Sequence, residues 1–158
     1  NMDPPDAKIF LQKLHQLLND KDYLLIGFDL IKNPKLFYTA YNDSKGLFEK
    51  FNLHLLDRIN QVLDGNFKKE LFIQQGHYNP KSHTIESYIY STRSQTVHIN
   101  GLNREFQFKA WEGIQTEQSF KYSTEDIKIL AEENGFEVQE SLYDSNKYFV
   151  DSVWRVKK

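Results

Sequence analysis

The first part of the chain has the pattern of a helix followed by a strand. Apolar residues recur at the spacing of one helical face up to about Leu18, after a start at Asp3 with two prolines in the first turn. The apolar run Tyr23–Asp29 then predicts a parallel strand buried on both faces. Asp29 and Lys32 end this strand, where they either form part of the wall of a ligand crevice or simply pair with each other. A helix that leads through a short turn into such a strand is half of an α/β crossover, so we predict an α/β fold.

The middle of the chain follows a different pattern. We predict a short helix at 35–41 and a long helix at 44–63. The apolar stripe that predicts the long helix consists of Leu47, Phe48, Phe51, Leu55, Ile59, Val62 and Leu63. Extended runs follow at 72–78, 84–91, 95–99 and 104–108, with a hairpin signal at Asn100–Gly101. We expect an antiparallel meander packed on the long helix.

The end of the chain returns to the α/β pattern. Ser123 and Asp126 form a capping box, and the helix that they open is expected to end at Asn134–Gly135. Strands at 136–143 and 148–156 follow, joined by a tight turn. The sequence therefore divides into three predicted parts. These are a partial α/β core at 1–34, an inserted α+β substrate-recognition domain at 35–119, and a closing helix and β-hairpin at 120–158.

Composition narrows the classes of function. The chain has 158 residues, 39% of them hydrophobic, and a net charge of −2, which is typical of a globular domain. It is neither strongly basic nor strongly acidic, so neither nucleic acid nor a membrane is an expected partner. The absence of cysteine from this sequence excludes disulfides and thiolate metal sites, and the five histidines have no metal-ligand spacing. We expect no metal and a cytoplasmic location.

Glu117 and Ser119 are the candidate ligand-binding pair. Residues two apart on an extended backbone project from the same face, so these two side chains can reach one small polar ligand together. A five-membered heterocycle with two ring nitrogens suits that arrangement. The alternative is that both are solvated residues of an edge strand, where Glu and Ser are common.

Five strings in the sequence carry a family resemblance. They are Asn1–Pro5, Leu24–Lys32, Ala40–Asp43, Phe51–Leu53 and Thr116–Tyr122. Together they resemble the histidine-specific methyltransferase family, whose best-known activity is Nα-trimethylation of histidine in ergothioneine biosynthesis. The resemblance spans essentially the whole chain. It implies the C-terminal part of a class I, Rossmann-like methyltransferase core with an inserted α+β substrate domain, and S-adenosylmethionine as the cofactor.

The resemblance also implies a set of substrate-binding residues. Asn1 corresponds to the residue that holds the backbone end of the amino acid, and Tyr41 to a hydroxyl that binds its carboxylate. Phe51 matches an aromatic wall residue. Glu117 and Ser119 match the pair that hydrogen-bonds the imidazole nitrogens. The resemblance implies an amino acid as the small-molecule partner, and we assign no catalytic residue.

Ser87 departs from the family pattern, because a bulkier apolar residue is expected against the imidazole. A smaller residue predicts extra volume, which a larger amino acid could fill. Glu117 argues against an apolar substrate, since its buried carboxylate would then be left unpaired, at a cost of about 1–3 kcal/mol or more.

The cofactor half of the site is missing from the sequence. The glycine-rich turn and the acidic ribose-binding residue of such methyltransferases are not found, and their expected place is upstream of Asn1. We therefore expect a fragment that carries the substrate half of the site and does not transfer methyl groups by itself. Two alternatives stay open: a non-catalytic amino-acid-binding module, and a fragment that associates with itself through a truncated sheet edge.

Overall fold

The protein has a mixed α/β fold. In the computed structural model residues 2–158 are described, so Asn1, one of the expected substrate-binding residues, lies outside the described residues. The elements in chain order are α1 (Pro4–Leu17), β1 (Tyr23–Asp29), α2 (Pro34–Tyr41), α3 (Leu47–Leu63), β2 (Phe72–Asn79), β3 (Thr84–Ser91), β4 (Gln95–Ile99), β5 (Arg104–Phe108), β6 (Gly113–Phe120), α4 (Thr124–Glu133), β7 (Phe136–Tyr143) and β8 (Phe149–Val156). Short 3₁₀ turns lie at Lys69–Leu71 and Asn100–Leu102.

The chain forms two compact units. The first unit contains the residues up to Lys32, Pro80–Thr84 and Ser119–Lys158. The second unit contains Asn33–Asn79 and Ile85–Gln118. None of the helices within residues 2–158 combines the length and the apolar character that crossing a bilayer requires.

A three-stranded antiparallel sheet with the order β1–β8–β7 forms the centre of the first unit. Its core is aromatic: the Trp154 ring stacks on Phe28, with 5.7 Å between ring centroids, and packs against Phe136 at 5.8 Å. The Trp154 indole N–H donates to Ser152 Oγ at 2.8 Å, so the one polar atom of this fully buried ring is satisfied. Ile127 of α4 closes the core from the helix side.

The predicted capping box opens α4. Ser123 Oγ accepts from the Asp126 N–H at 3.1 Å, and the Asp126 carboxylate accepts from the Ser123 N–H at 2.8 Å. The helix ends at Glu133 and Gly135 follows with φ +83°, as the sequence predicts. Local capping chemistry therefore fixes both ends of this helix.

The bounds predicted for β1 are confirmed, but the prediction of a parallel strand buried on both faces is wrong. β1 pairs antiparallel with β8, and the side chains of Tyr23 and Leu25 are 59% and 68% exposed. An apolar run indicates a demand for burial, but it does not encode the direction of the neighbouring strand. Within the described residues, β8 is the one strand that pairs with β1.

Two small sheets belong mainly to the second unit. One has the order β2–β3–β6, and the other is the β4–β5 hairpin, so the predicted single meander is wrong. The β4–β5 hairpin is closed by the 3₁₀ turn Asn100–Leu102, which is followed by Asn103 with left-handed backbone angles. The predicted two-residue turn at Asn100–Gly101 is therefore wrong. Gly101 is required by close approach instead, since a Cβ there would lie 2.7 Å from the Leu63 carbonyl oxygen.

The buried face of α3 differs from the predicted stripe. Phe51 and Val62 are each 70% exposed, whereas Asn52 and Leu56 are buried at 2%. Of the predicted stripe, Ile59 and Leu63 pack against the core of this unit. The helix also begins at Leu47 and not at residue 44. The buried face of α3 could not be identified from apolar residues alone, because the polar residue Asn52 lies at its centre.

Self-association through β1 stays a prediction. An edge strand with an exposed Leu25 can pair with another copy, and a lysine at that position should prevent the pairing. We expect light scattering on the 158-residue chain to detect a dimer that Leu25→Lys converts to a monomer. The matched control is Val62→Lys, at an equally exposed position of α3. A monomeric wild-type chain at all accessible concentrations would contradict the prediction.

Candidate functional site

Tyr41 is the last residue of α2 and is fixed against β2 by its neighbour Asn42. The Asn42 Oδ1 accepts from the Gly76 N–H at 2.8 Å, and its Nδ2 donates to the Gly76 carbonyl at 3.1 Å. Gly76 permits this approach because a Cβ there would lie only 2.7 Å from the Tyr41 Cβ. The position of the Tyr41 backbone is therefore set by contacts of the helix end with β2.

Tyr41 and Phe51, both predicted as site residues, are connected by a third ring. The Phe48 ring centroid lies 4.8 Å from that of Tyr41 and 6.3 Å from that of Phe51. Phe51 presents its ring at the surface of this unit, as a wall residue requires. Sequence reasoning assigned Phe48 to the core stripe alone, although its spacing of three residues from Phe51 places both on one side of the helix.

Asp43 anchors the start of α3 just after Tyr41. Its carboxylate accepts from the backbone N–H groups of Phe48 at 2.8 Å and Leu47 at 3.0 Å. These two hydrogen bonds, that from Phe48 first, hold the pKa of the Asp43 carboxyl below its usual value. Gly46, the residue before α3, has left-handed backbone angles and no side chain that could cap the helix, so Asp43 supplies the cap.

A buried polar network joins α3 to the β2–β3–β6 sheet. Asn52 Oδ1 accepts from Thr116 Oγ1 at 2.7 Å and from Ser87 Oγ at 3.3 Å. Gln74 Nε2 donates to Ser87 Oγ at 3.0 Å, and Asn52 Nδ2 donates to the Phe48 carbonyl at 3.1 Å. The network satisfies the polar groups that this interface buries, so it specifies how α3 lies on the sheet.

Ser87 is part of this network. Its side chain is completely buried, and its hydroxyl donates to Asn52 Oδ1 and accepts from Gln74 Nε2. Hydrogen bonds therefore stand where the family pattern has apolar packing. The extra volume expected beside Ser87 stays a prediction.

Glu117 and Ser119 lie two residues apart in β6, as predicted. Glu117 is half-buried and Ser119 is 7% exposed. The alternative of two solvated edge residues is therefore wrong for Ser119. Their roles in binding a ligand stay predictions.

Ser119 belongs to a charged cluster that the sequence did not reveal. Lys121 Nζ donates to Ser119 Oγ at 2.8 Å and forms an ion pair with Asp29 Oδ2, also at 2.8 Å. Lys32 Nζ pairs with Asp29 Oδ1, which confirms that sequence-based prediction, and donates to the Tyr148 carbonyl at 3.0 Å. The Lys121 side chain is 1% exposed, so its charge is balanced inside the first unit.

Backbone pairing brings Lys121 and Asp29 side by side. Leu30 forms a parallel bridge with Tyr122, in which the Tyr122 N–H donates to the Asp29 carbonyl at 3.0 Å and the Ile31 N–H donates to the Tyr122 carbonyl at 3.0 Å. On its other side, the Lys121 N–H donates to the His83 carbonyl at 2.8 Å. The backbone of Lys121 is therefore held by two neighbouring segments before its side chain makes any contact.

The described residues do not fit a nucleotide cofactor. A methyltransferase core binds its cofactor at a glycine-rich turn between a strand and a helix. Two such turns occur within residues 2–158, from β1 to α2 and from β6 to α4, and neither contains glycine. That same part of the chain also has no group of three or more histidine or acidic side chains arranged to hold a metal ion.

Comparison with known proteins defines the class of this chain. It is 30% identical over 135 residues to a histidine N-alpha-methyltransferase of Mycolicibacterium smegmatis, an alignment that covers 85% of this chain and 42% of the relative. It is 29% identical to ergothioneine biosynthesis protein 1 of Neurospora crassa, over 94% of this chain and 17% of that protein. A solved structure, the CcbJ methyltransferase from Streptomyces caelestis, aligns over 92% of this chain and 51% of that one, at 11% identity and a TM-score of 0.44.

The family description "Histidine-specific methyltransferase, SAM-dependent" matches residues 1–156. The chain belongs to this family, whose cofactor is S-adenosylmethionine. It spans about two fifths of the length of the mycobacterial relative and less than a fifth of the fungal one.

The buried network predicts a stability effect at Asn52. Asn52→Ala removes the acceptor that the Thr116 and Ser87 hydroxyls share, although Thr116 keeps the Ser87 carbonyl at 3.2 Å. We therefore expect the free energy of unfolding to fall by about 1–3 kcal/mol. Urea denaturation followed by circular dichroism measures the change. Gln61→Ala, at an exposed position of the same helix, is the matched control. Equal stabilities of the two variants would contradict the importance of the network.

The lowered pKa of Asp43 predicts a pH dependence of stability. Because the folded state lowers this pKa, the carboxylate stabilises the fold above the pKa of the unfolded chain, and the contribution is lost as the pH falls through the folded value. We expect Asp43→Asn to be less stable at neutral pH and to lose less stability on acidification. The measurement is the melting temperature from about pH 7 to pH 3, across the usual carboxyl range.

The control for this prediction is Asp3→Asn, because the Asp3 side chain makes no capping hydrogen bond at α1. Parallel acid profiles for the wild type and Asp43→Asn would show that the cap is energetically irrelevant.

Proposed function

We propose that the protein containing this chain transfers methyl groups from S-adenosylmethionine to the α-amino group of histidine. In this proposal the chain supplies the residues that recognise the amino acid. The observation that carries it is the pairing of a half-buried carboxylate, Glu117, with a buried hydroxyl, Ser119, two residues apart on β6. A neutral imidazole carries one N–H donor and one acceptor nitrogen, which a carboxylate and a hydroxyl can bind together.

The membership of the family supports histidine as the substrate. Tyr41 is proposed to bind the substrate carboxylate, Phe51 to form an aromatic wall, and Asn1 to hold the backbone end of the amino acid.

The proposed reaction requires little acid–base catalysis from these residues. An α-amino group is less basic than a lysine side chain, so a modest lowering of its pKa by the site is enough and no strong base is required. The task of the chain is then to hold the amino acid so that its amine has one fixed orientation. We assign Glu117 to substrate specificity and not to proton removal.

We propose further that the first unit is the C-terminal part of a class I, Rossmann-like core and the second unit is an inserted substrate domain. The support is the arrangement of α4 followed by the β7–β8 hairpin, with β8 between β7 and β1. The location in the cytoplasm stays a prediction.

Glu117→Ala in the whole protein tests the assignment. We expect histidine affinity to fall by about 10- to 100-fold, because a charge-assisted hydrogen bond contributes about 1.5–3 kcal/mol. Affinity for S-adenosylmethionine should change little. Isothermal titration calorimetry measures both, and Glu137→Ala, an exposed carboxylate on β7, is the control. Unchanged histidine affinity would remove Glu117 from the site.

The isolated 158-residue chain provides a companion measurement in the same experiment. Since the described residues do not fit the cofactor, we expect no transfer of labelled methyl groups to histidine from the chain alone. Measurable turnover would contradict this.

A further inference from the structure

Asn42 uses the full hydrogen-bonding capacity of its side chain. Its Oδ1 accepts from the Gly76 N–H at 2.8 Å and from Gln75 Nε2 at 2.6 Å. Its Nδ2 donates to the Gly76 carbonyl at 3.1 Å and to the Tyr38 carbonyl at 3.0 Å. A side-chain amide has two donor hydrogens and two acceptor lone pairs, so all of its positions are taken. The bond to Tyr38 is a local cap of α2, whereas the other three bonds reach β2.

The contact of Asn42 with Gly76 follows the pattern of strand pairing. In an antiparallel sheet, the N–H and the C=O of one residue point to the same neighbour. In the part of the chain that the structure describes, β3 is the one strand that pairs with β2. The Asn42 amide pairs with both backbone groups of Gly76 in place of a second strand. Two bonds to one residue fix the orientation of the end of α2 on β2, which a single bond does not.

Tyr41 is held between this contact and Phe48. A Cβ on Gly76 would lie 2.7 Å from the Tyr41 Cβ, so the base of the tyrosine side chain lies directly on the backbone of β2. The Tyr41 ring meets the Phe48 ring edge-on, with 4.8 Å between the ring centroids. The hydroxyl lies at the far end of the Tyr41 side chain. A small rotation of the end of α2 therefore displaces the hydroxyl more than it displaces the backbone.

We propose that Asn42 is a positioning residue, whose bonds to Gly76 hold the Tyr41 hydroxyl where it binds the carboxylate of the substrate. The inference rests on the proposed function. Asn42 itself does not contact the substrate, because protein groups take all of its donor and acceptor positions. Loss of its amide allows the end of α2 to rotate on β2, and a misplacement of about 1 Å can cost on the order of 100-fold in rate. The substrate then loses a hydrogen bond at its carboxylate alone.

The test is the preference of the whole protein for a ligand with a carboxylate. Isothermal titration calorimetry compares histidine with histidinamide, in which a neutral amide replaces the carboxylate. We call the ratio of the two affinities the carboxylate selectivity. Variants are compared at one pH, so the different basicity of the two ligand amines cancels. Tyr41→Phe should lower the carboxylate selectivity by about 10- to 100-fold, the range for loss of a hydrogen bond to a charged group.

Variants of Asn42 separate positioning of Tyr41 from other roles. Asn42→Ala should lower the carboxylate selectivity by roughly tenfold or more, because the Tyr41 hydroxyl is no longer held in place. Asn42→Ala combined with Tyr41→Phe should lie within about twofold of Tyr41→Phe alone, since the hydroxyl that Asn42 positions is then absent. Affinity for S-adenosylmethionine should change little and reports that each variant is folded.

Asn42→Ser is the second variant, for the case that Asn42→Ala does not fold. A serine hydroxyl can donate to the carbonyl four residues earlier, so the local cap on Tyr38 is kept. The shorter side chain does not reach both backbone groups of Gly76. The carboxylate selectivity should therefore fall as in Asn42→Ala.

Asn60 provides a matched control in the same unit. Its Oδ1 accepts from the Phe67 N–H and its Nδ2 donates to the Phe67 carbonyl, both at 2.8 Å. This is the same paired contact with a backbone, but it lies near the C-terminal end of α3. Asn60→Ala should lower stability and leave the carboxylate selectivity within about twofold of the wild type.

Each result decides the proposal. A folded Asn42→Ala or Asn42→Ser with wild-type carboxylate selectivity overturns it, and so does a further fall when Asn42→Ala is added to Tyr41→Phe. An equal fall in Asn60→Ala indicates general loosening of the unit and also overturns it. If Tyr41→Phe leaves the selectivity unchanged, the role assigned to Tyr41 is wrong and the inference fails with it. The proposed function fails separately, if the whole protein does not bind histidine.

Discussion

The buried contact of Lys121 with Asp29 and Ser119 is the interaction on which the candidate site depends. An ammonium with 1% of its side chain exposed requires balanced charge and satisfied donors, and Asp29 and Ser119 supply both at 2.8 Å. The parallel bridge between Leu30 and Tyr122 brings these groups into register through the backbone. A single ion pair therefore connects the end of β1, the residue after β6 and the hydroxyl that we assign to substrate recognition.

In the second unit, a network of uncharged hydrogen-bonding side chains has a similar structural role. Asn52, Ser87, Gln74 and Thr116 hold α3 on its sheet by hydrogen bonds that have no charged member. Such a network gives one orientation of the helix, because any other would leave buried polar groups without partners. Asn42 does the same for the end of α2 through its paired bonds with Gly76. Polar contacts thus orient the elements that carry Tyr41 and Phe51.

Much of the local structure could be predicted from the sequence, since it depends on neighbours in the chain. The capping box of Ser123, the left-handed Gly135 and the bounds of β1 all follow from local chemistry. The buried face of α3 could not be predicted, because it is centred on Asn52 and hydrophobic patterns omit a buried amide. The Lys121 contact was missed for a similar reason. Lysine is usually exposed, and nothing in a single sequence reports that Asp29, distant in the chain, is its partner.

The most direct measurement of the central claim uses nitrogen-15-labelled histidine bound to the whole protein. Nuclear magnetic resonance reports the protonation of each imidazole nitrogen in the bound ligand. If Glu117 accepts and Ser119 donates, the bound ring has one protonated and one unprotonated nitrogen at neutral pH. Two protonated nitrogens under that condition would contradict the account.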